Sequence, residues 1–214
     1  MNEKTDLKNM RLNYDRNQLI ESNVDKNPFI QFKLWFKEVA ESDIIEPNAM
    51  TIATATKDGI PSLRVVLLKE FDETGFTFFT NYKSRKGREI EENPNAALLF
   101  WWGIFERQVR IEGKIEKISR EDSEAYFNVR PLKSRLGALA SNQSEIIENR
   151  QILENKFSEL EKRFGENPPK PDNWGGYKLI PNRFEFWQGR RDRLHDRICY
   201  EKYGDIWNIF RLSP

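Results

Sequence analysis

Apolar residues along the first half of the chain predict one helix followed by a run of antiparallel strands. Four of them recur at helical spacing behind Pro28, namely Phe29, Phe32, Phe36 and Val39. Beyond them, strand-like segments are separated by turn sequences such as Lys57-Asp58-Gly59 and Asp72-Glu73-Thr74-Gly75. The strands that we predict are Thr51–Thr56, Ser62–Lys69, Gly75–Thr80, Ala96–Trp102 and Gln108–Ile118. A short helix over Ser84–Glu92, capped by Ser84, precedes the fourth of them.

The second half of the chain first shows helical periodicity and then returns to strands. A helical segment over Arg120–Arg135 is interrupted by Pro131. A longer helix over Glu145–Phe164 carries an apolar stripe made of Ile146, Leu153, Phe157, Leu160 and Phe164. The last strands that we predict are Tyr177–Pro181, Arg183–Gln188, Arg193–Glu201 and Ile206–Arg211. Because hairpin turns outnumber crossovers, we expect a mostly β fold, an antiparallel sheet or barrel with helices packed around it.

Length and composition favour a polar N-terminal arm, residues 1–27, and a single folded domain, residues 28–214. The net charge is only +1 at pH 7, which counts against a general nucleic-acid binder. Cys199 is the only cysteine, so an intrachain disulfide is excluded, and one histidine with one cysteine does not suggest a metal site. The N-terminus lacks the apolar stretch of a signal peptide, and no apolar run approaches the ~20 residues of a membrane span. We therefore expect a cytoplasmic protein with neither a nucleic-acid nor a membrane partner.

Two short basic segments have the chemistry of anion sites. Arg64 and Lys69 bracket four apolar residues of one predicted strand and would suit an anion lying across it, although a charged edge strand is the better explanation of that pattern alone. Arg85 and Lys86 follow Ser84 in a first helical turn, where cations oppose the helix dipole. A bound phosphate would explain this placement, and a solvated turn explains it about equally well.

A third candidate site combines Tyr126, Arg130 and Ser134, whose spacing of four would align them on one helical face as a phosphate clamp. Pro131 complicates this arrangement, and a partly exposed amphipathic helix is the better explanation when the pattern is taken alone.

The most informative segment runs from Trp187 to Arg197. As a strand it would place Arg193, His195 and Arg197 on one face, where they repel one another unless an anion or carboxylates lie among them. A lone histidine is more often structural, but these neighbours favour a site. The sequence contains no Walker loop, no dinucleotide fingerprint and no nucleophile elbow.

Together these segments resemble the pyridoxamine 5′-phosphate oxidase family. The resemblance covers nearly the whole chain and depends on the order and spacing of its motifs. The motifs are Arg11–Tyr14, Arg64–Lys69, Ser84–Lys86, Glu106–Val109, Tyr126–Pro131, Trp174–Tyr177, Glu185–Gly189, Arg193–Arg197 and Arg211–Pro214. The resemblance implies an FMN-binding split β-barrel and a homodimer with active sites at the subunit interface, with residues from about 170 to 214 in its dimerisation and active-site segment. It also implies oxidation of pyridoxamine 5′-phosphate and pyridoxine 5′-phosphate by O2 to pyridoxal 5′-phosphate, with release of H2O2.

The resemblance assigns roles to individual residues. The FMN contacts that it implies are Arg64, Val65, Val66, Leu67, Leu68, Lys69, Phe79, Thr80, Arg85, Lys86, Gln108, Gln143, Ser144, Trp187 and Arg197. The substrate contacts that it implies are Arg11, Tyr14, Lys69, Tyr126, Arg130, Ser134, Arg193, Leu194 and His195, with Arg11 and Tyr14 on a lid-like arm. Arg193 and His195 are the expected catalytic pair over the pyridine ring. Four positions depart from the common family residues and put substrate preference in doubt: Glu46, Phe79, Arg135 and Leu139.

Three other functions stay open at this point. The first is a split-barrel flavoprotein that reduces another substrate with a nicotinamide or deazaflavin donor, against which the clamp of Tyr126, Arg130 and Ser134 counts. The second is a carrier that binds FMN or pyridoxal phosphate without turnover, which peroxide production would exclude. The third is a nucleic-acid module that uses arginine-rich segments interleaved with tryptophan and tyrosine, against which the near-zero net charge counts.

Overall fold

A computed structural model describes residues 7–10 and 13–214 of the chain. The α-helices of this part are α1 Pro28–Ala40, α2 Arg85–Glu92, α3 Arg120–Val129, α4 Leu132–Ala140 and α5 Arg150–Phe164. The strands are β1 Ala49–Ala55, β2 Pro61–Leu67, β3 Glu70–Asp72, β4 Gly75–Asn81, β5 Asn95–Trp102, β6 Arg107–Lys117, β7 Trp174–Gln188, β8 Asp196–Tyr203 and β9 Ile206–Arg211. The predicted mostly β fold with helices is confirmed. None of the helices in the described residues is long and apolar enough to cross a membrane.

The strands form a sheet in the order β2-β1-β5-β6-β7-β4-β3, with β8 paired to β7 and β9 paired to β8. The β1–β2 pair is an antiparallel hairpin in which Thr51 lies opposite Val65. Its turn is closed by the Gly59 N–H, which donates to the Thr56 carbonyl at 2.9 Å. Gly59 has a φ of +82°, in the left-handed region that favours glycine. The local turn chemistry therefore produces the hairpin that the sequence predicts.

The chain divides into two compact units, each made of separated segments. The terminal unit comprises residues 1–47, 100–110 and 183–214, of which the structure describes 7–10 and 13 onwards, and the central unit comprises residues 48–99 and 111–182. The terminal unit has an aromatic core in which Phe32 of α1 packs against Phe100 at 5.1 Å between ring centroids. Trp35 meets Phe186 edge to face at 5.2 Å. The predicted apolar face of α1 is thus confirmed, while the expected single domain from residue 28 stays a prediction.

The core of the central unit consists of the inward side chains of its strands, among them Met50, Ile52, Phe76 and Phe78, all essentially without solvent exposure. Helix α2 begins at the predicted cap, because the Ser84 hydroxyl accepts a hydrogen bond from the backbone N–H of Gly87. Caps of this kind satisfy one of the free donors of a first helical turn. The start of α2, which carries Arg85 and Lys86, is therefore fixed.

Two helical predictions need correction. The long helix begins at Arg150 rather than at Glu145, since Asn149 is the residue whose side chain caps it, accepting from the N–H of Ile152. Ile146 is consequently outside the helix and fully exposed. Tyr126, Arg130 and Ser134 do not share one helical face, because α3 ends at Val129 and α4 starts after Pro131. A proline disfavours helical dihedrals at the residue before it, and Arg130 is indeed extended, with φ −72° and ψ 149°.

Two of the strand predictions need correction, and one strand was not predicted at all. The segments Tyr177–Pro181 and Arg183–Gln188 belong to the continuous strand β7. The strand predicted from Arg193 begins only at Asp196, because Arg191–Arg193 forms a short 3-10 turn. Asp192 and Arg193 have φ values of +56° and +61°, so the backbone there is not extended. The expected alternation of Arg193, His195 and Arg197 along one strand face is therefore wrong. The missed strand, β3, is only three residues long.

Candidate active site

A cleft of about 420 Å³ in the central unit brings together eleven of the 23 residues to which the resemblance assigns ligand contacts. The predicted residues that line it are Val65, Val66, Leu67, Lys69, Phe79, Thr80, Lys86, Tyr126, Arg130, Ser134 and Gln143. Pro131 and Trp174 line it as well. The charged residues of this lining are three cations, Lys69, Lys86 and Arg130, without a carboxylate among them. The cleft is thus suited to anionic ligands.

Lys86 is a buried cation whose hydrogen-bond partners in the described structure are neutral. Its Nζ lies 3.2 Å from Thr80 Oγ1 and 3.3 Å from Gln143 Oε1, and the Thr80 hydroxyl donates to the same Gln143 oxygen at 3.0 Å. Burial, and next the positive charge of Arg64, lower the pKa of Lys86 to about 8, against an opposing effect of Glu89. A phosphate bound beside this ammonium would stabilise its charged form.

Arg64 lies in β2 but does not line the cleft. Its guanidinium donates to Thr54 Oγ1 at 2.6 Å and to the Ser62 hydroxyl, and it forms an ion pair with Glu89 at 3.3 Å. Arg85 Nε pairs with the other oxygen of Glu89 at 2.8 Å. Glu89 therefore joins two of the cations that the resemblance assigns to FMN. The expected placement of Arg64 and Lys69 in one strand is not observed, since β2 ends at Leu67.

Tyr126, Arg130 and Ser134 all line the cleft, although by a different route from the one predicted. The guanidinium carbon of Arg130 lies 4.6 Å from the centroid of the Trp174 ring. Its Nη1 is buried and has no hydrogen-bond partner in the described residues. Burial lowers the pKa of Arg130, and Tyr126 opposes this shift. Buried donors in proteins nearly always have an acceptor, so Arg130 Nη1 indicates the position of an anionic ligand group.

Three aromatic rings form a stacked wall of the cleft. Phe79 lies at 3.9 Å from Tyr126 and at 5.4 Å from Trp174, measured between ring centroids, with interplanar angles of 23° and 16°. The resemblance leads us to expect a tyrosine where Phe79 stands, and the wall accordingly offers no hydroxyl at that position. Planar apolar surface of this kind favours a ligand with aromatic rings.

The catalytic pair expected from the resemblance lies in the terminal unit. Tyr14, Arg193 and His195 line a second cleft, of about 530 Å³. The ring of His195 lies 4.7 Å from that of Trp187 and 5.8 Å from that of Tyr14. Gly189 makes the position of Tyr14 possible, since a Cβ at Gly189 would lie 2.7 Å from Tyr14 Cγ. The N-terminal segment that carries Tyr14 therefore packs against Gly189, next to the ring of His195.

His195 has a defined hydrogen-bonding state. The backbone N–H of Arg190 donates to His195 Nδ1 at 3.1 Å. In a neutral imidazole the other nitrogen then carries the proton, so Nε2 is a donor. Burial, and next the charge of Arg193, lower the pKa of His195, against an opposing effect of Asp196. All of this favours a neutral ring that donates from Nε2.

Arg197 lies in β8, and carboxylates surround it and its neighbours. Its Nε and Nη2 donate to the buried Glu185 at 2.9 and 3.0 Å, and its Nη1 donates to the Ser213 carbonyl at 2.8 Å. Asp196 pairs with Arg211 at 2.7 Å. The sequence required an anion or carboxylates among these cations, and for Arg197 the structure supplies the carboxylate of Glu185.

The remaining assigned residues lie elsewhere. Leu194 lines a smaller cleft of the terminal unit, of about 370 Å³. Seven implied FMN contacts line neither the central cleft nor the one at His195: Arg64, Leu68, Arg85, Gln108, Ser144, Trp187 and Arg197. Arg11 is outside the described residues. The described part of the chain holds no group of three or more side chains suited to a metal ion.

Sequence reasoning missed three residues that shape these sites. Glu89 stands four residues after Arg85, a spacing typical of helical ion pairs, and that signal was available. Trp174 belongs to a motif of the resemblance but received no role. Arg190 acts on His195 through its backbone N–H, which any residue except proline provides, so no sequence signal could have identified it.

Comparisons with known proteins agree over nearly the whole chain. The family model described as "Pyridoxamine 5′-phosphate oxidase" matches residues 36–164, and the model "Pyridoxine 5′-phosphate oxidase C-terminal dimerisation region" matches residues 174–214. Proteins named pyridoxine/pyridoxamine 5′-phosphate oxidase from Burkholderia mallei and Burkholderia thailandensis are each 55% identical over 213 residues, 98% of this chain and 100% of the relative.

Solved structures show the same fold. PhzG from Burkholderia lata 383, in complex with tetrahydrophenazine-1-carboxylic acid, matches with a TM-score of 0.87 and 32% identity, over 92% of this chain and 98% of that one. An FMN-binding protein of Nostoc punctiforme, described as pyridoxamine 5′-phosphate oxidase-related, shares the fold with a TM-score of 0.70 at 17% identity, over 87% of this chain and 97% of that one. The expected split-barrel fold class is thereby confirmed. The chain belongs to the pyridoxamine 5′-phosphate oxidase family.

Proposed function

We propose that the protein oxidises pyridoxamine 5′-phosphate and pyridoxine 5′-phosphate with O2 to pyridoxal 5′-phosphate, using FMN, in vitamin B6 biosynthesis and salvage. The products are H2O2 and, from the amine substrate, ammonia. The observation that carries the proposal is the central cleft, whose lining contains two sets of groups suited to phosphate. One set is Lys86 with Thr80, and the other is Arg130 with its clamp partners. A phosphorylated cofactor and a phosphorylated substrate require two such sets.

The residues present fit FMN. The buried ammonium of Lys86, with neutral partners, suits a phosphate, and the stacked wall at Phe79 suits a ring system. The residues that would hold FMN are those that the resemblance assigns, with Lys86, Thr80 and Gln143 in the cleft and Arg64 and Arg85 joined behind it through Glu89. Bound FMN would supply the two-electron acceptor and its reoxidation by oxygen, which no amino-acid side chain supplies.

The clamp binds and orients the substrate. Arg130 Nη1, which is buried without a partner in the described structure, donates to a phosphate oxygen of the substrate, and the hydroxyls of Tyr126 and Ser134 add further donors. The ammonium of Lys69, which also lines the cleft, is the fourth group that contacts this phosphate. Fixing the phosphate in this way restricts the position of the reacting C4′ carbon.

Arg193 and His195 act on the pyridine ring. A guanidinium is a poor general base in proteins, so Arg193 is a positioning group rather than a base. His195 donates a hydrogen bond from Nε2, because its Nδ1 is engaged by the Arg190 N–H. Arg193→Ala is expected to lower turnover far more than FMN binding, whereas Arg197→Ala weakens FMN binding first. Flavin titrations beside steady-state rates check this division, and the reverse order would contradict it.

Oxygen consumption with pyridoxamine 5′-phosphate tests the proposal directly. Purified protein with FMN is placed in an oxygen electrode, and aldehyde formation is followed in parallel. We expect oxygen uptake matched by pyridoxal 5′-phosphate. A yellow, FMN-loaded protein that consumes no oxygen would exclude the proposal and favour another flavin-dependent substrate or a carrier.

The likeness to PhzG favours a second candidate, oxidation of a reduced phenazine carboxylate. Such a substrate has no phosphate and would leave the Arg130 clamp without its dianion. The same assay with tetrahydrophenazine-1-carboxylic acid separates the two functions, since we expect pyridoxamine 5′-phosphate to give much the higher kcat/KM.

We also propose that the active enzyme is a homodimer with its active sites at the subunit interface. The match of residues 174–214 to a dimerisation region supports this assembly. A mass in solution close to twice 25.5 kDa is the expected result.

A further inference from the structure

Glu89 is a buried carboxylate surrounded by hydrogen-bond donors of the central unit. Its side chain is only 4% exposed. Oε2 accepts from the Thr54 hydroxyl at 2.5 Å and from the Ser62 hydroxyl at 2.6 Å, and it pairs with Arg64 at 3.3 Å. Oε1 accepts from Arg85 Nε at 2.8 Å. One carboxylate therefore connects β1, β2 and the first turns of α2.

The hydroxyls of Thr54 and Ser62 link Arg64 to Glu89 in addition to the direct ion pair between the two residues. Arg64 donates to Thr54 Oγ1 at 2.6 Å and to Ser62 Oγ, and each hydroxyl in turn donates a hydrogen bond to Glu89. Because a hydroxyl has a single proton, this pattern fixes the direction of every bond from guanidinium to hydroxyl to carboxylate. Chains of bonds with one direction reinforce one another. The orientation of Arg64 thus depends on Glu89.

The cluster retains positive charge after this pairing. Arg64, Arg85 and Lys86 contribute three positive charges and Glu89 one negative charge, which leaves a local charge of about +2. Two of the cations stand in the first turn of α2, where the helix dipole disfavours them. A phosphate dianion at this point would neutralise the excess charge and use the free N–H groups of the turn.

From this arrangement we propose that Glu89 is a positioning residue, which holds Arg64 and Arg85 in the orientation that binds the phosphate of the flavin. Glu89 thereby makes the protein select FMN over riboflavin, the same ring system without the phosphate. The inference rests on the proposed function, since it requires a flavin in the central cleft.

Whether Glu89→Gln tightens or weakens FMN binding distinguishes a positioning role of Glu89 from an effect of its charge alone. Removing one negative charge beside a phosphate strengthens its attraction to the remaining cations. If Glu89 acted through its charge alone, Glu89→Gln would bind FMN more tightly. If Glu89 holds the arginines in place, the same change weakens FMN binding, because Arg64 and Arg85 lose their shared acceptor.

Flavin titrations of flavin-free protein test the inference without any measurement of turnover. Wild type, Glu89→Gln and Ser62→Ala are titrated with FMN and with riboflavin, and the quenching of flavin fluorescence gives each Kd. We expect Glu89→Gln to raise the Kd for FMN roughly tenfold, the loss typical of one charged hydrogen bond, and to leave the Kd for riboflavin unchanged. Ser62→Ala, which removes one bridge and no charge, should give a smaller loss that is again confined to FMN. Glu92→Gln removes the same charge from an exposed position of α2 and is the matched control.

Three outcomes would overturn the inference. Tighter FMN binding by Glu89→Gln would show that Glu89 acts as a charge, and unchanged binding would show that it has no role. Equal losses for FMN and riboflavin would make Glu89 a residue that stabilises the fold. A wild-type protein that binds riboflavin as well as FMN would contradict the inference together with the flavin part of the proposed function, whereas a wild type that prefers FMN keeps the two separable.

Discussion

Two cations of the central cleft, the buried Lys86 and the half-buried Arg130, have surroundings that burial alone does not explain. Neither forms an ion pair with a carboxylate in the described structure, and burial disfavours the charged form of both. Burying an unpaired charge is costly, so proteins keep such groups where a ligand supplies the opposite charge. Perturbed groups lining one cleft are typical of functional sites. The two cations are therefore better explained by ligand binding than by stability.

The affinity for FMN should change with pH because Lys86 loses its positive charge as the pH rises. Its pKa of about 8 means that the ammonium is present below pH 8 and lost above it. FMN affinity is therefore expected to fall as pH rises, roughly tenfold between pH 7 and 9.5, since the phosphate is already a dianion across this range. Flavin titrations at the two pH values measure the effect. The Lys86→Arg variant keeps its positive charge throughout, so its FMN affinity should depend little on pH. If the affinity of wild type and of this variant fell equally with pH, Lys86 would be excluded as the cause.

Substitution of Arg130 should affect the substrate and spare the cofactor. Arg130→Ala removes the donor whose Nη1 lacks a partner in the described residues, and its loss is expected to raise KM for pyridoxamine 5′-phosphate on the order of 30-fold. The Kd for FMN should change little. Steady-state rates and flavin titrations give the two values. Arg120→Ala, an exposed arginine of the neighbouring helix α3, is the control. If Arg130→Ala lowered the affinity for FMN more than the affinity for the substrate, Arg130 would be a contact of the cofactor instead.

At the scale of elements, the sequence predicted what local chemistry determines. The hairpin at Gly59 and the capped start of α2 at Ser84 depend on residues within a few positions of each other, and both are confirmed. The left-handed turn at Asp192 and Arg193 does not follow from residue type, since aspartate is enriched in this region but arginine is not. Non-glycine residues in this region are costly and occur often at functional sites.

The structure brings Tyr126, Arg130 and Ser134 to one cleft, but by a geometry that differs from the predicted one. Spacing alone placed the three residues on one helix, whereas Pro131 ends that helix and turns Arg130 into extended backbone. All three still reach the cleft, because α4 resumes directly after the break. Long-range links such as Arg64 to Glu89 could not be predicted, since they depend on how β1 and β2 pack against α2.

Close packing between β6 and β7 gives an element-scale prediction. A Cβ at Gly113 would lie 2.1 Å from the Ile180 carbonyl oxygen, a backbone atom that cannot move independently of its strand. Gly113→Ala should therefore destabilise the protein by about 1–3 kcal/mol, the usual cost of overpacking. Denaturant unfolding of the flavin-free protein measures the change. Lys114→Ala alters the exposed neighbouring residue and should stay within about 0.5 kcal/mol of wild type. Equal stability of the two variants would contradict the packing argument.

At the scale of the whole molecule, nearly balanced charge hides strongly uneven local charge. The net charge is +1, yet the central cleft is lined by cations alone among its charged residues. Apolar exposure is also uneven. Strand β2 stands at the end of the strand order, and its outward residues Leu63 and Val65, of which Val65 also lines the central cleft, are 72% and 66% exposed. An exposed apolar edge strand invites pairing with another chain, and proteins rarely leave one uncovered.

The proposed homodimer would explain this exposure if the second copy covers β2. Leu63→Asp is then expected to shift the protein from about twice 25.5 kDa to a single chain in sedimentation experiments, because an unpaired carboxylate would be buried in the interface. The circular dichroism of the variant should keep its β signature, since Leu63 contributes little to the core of its own chain. Lys57→Asp, at the exposed hairpin turn, makes an even larger change of charge away from the strand and should remain dimeric. A dimeric Leu63→Asp protein would place the interface elsewhere and leave the apolar edge of β2 without this explanation.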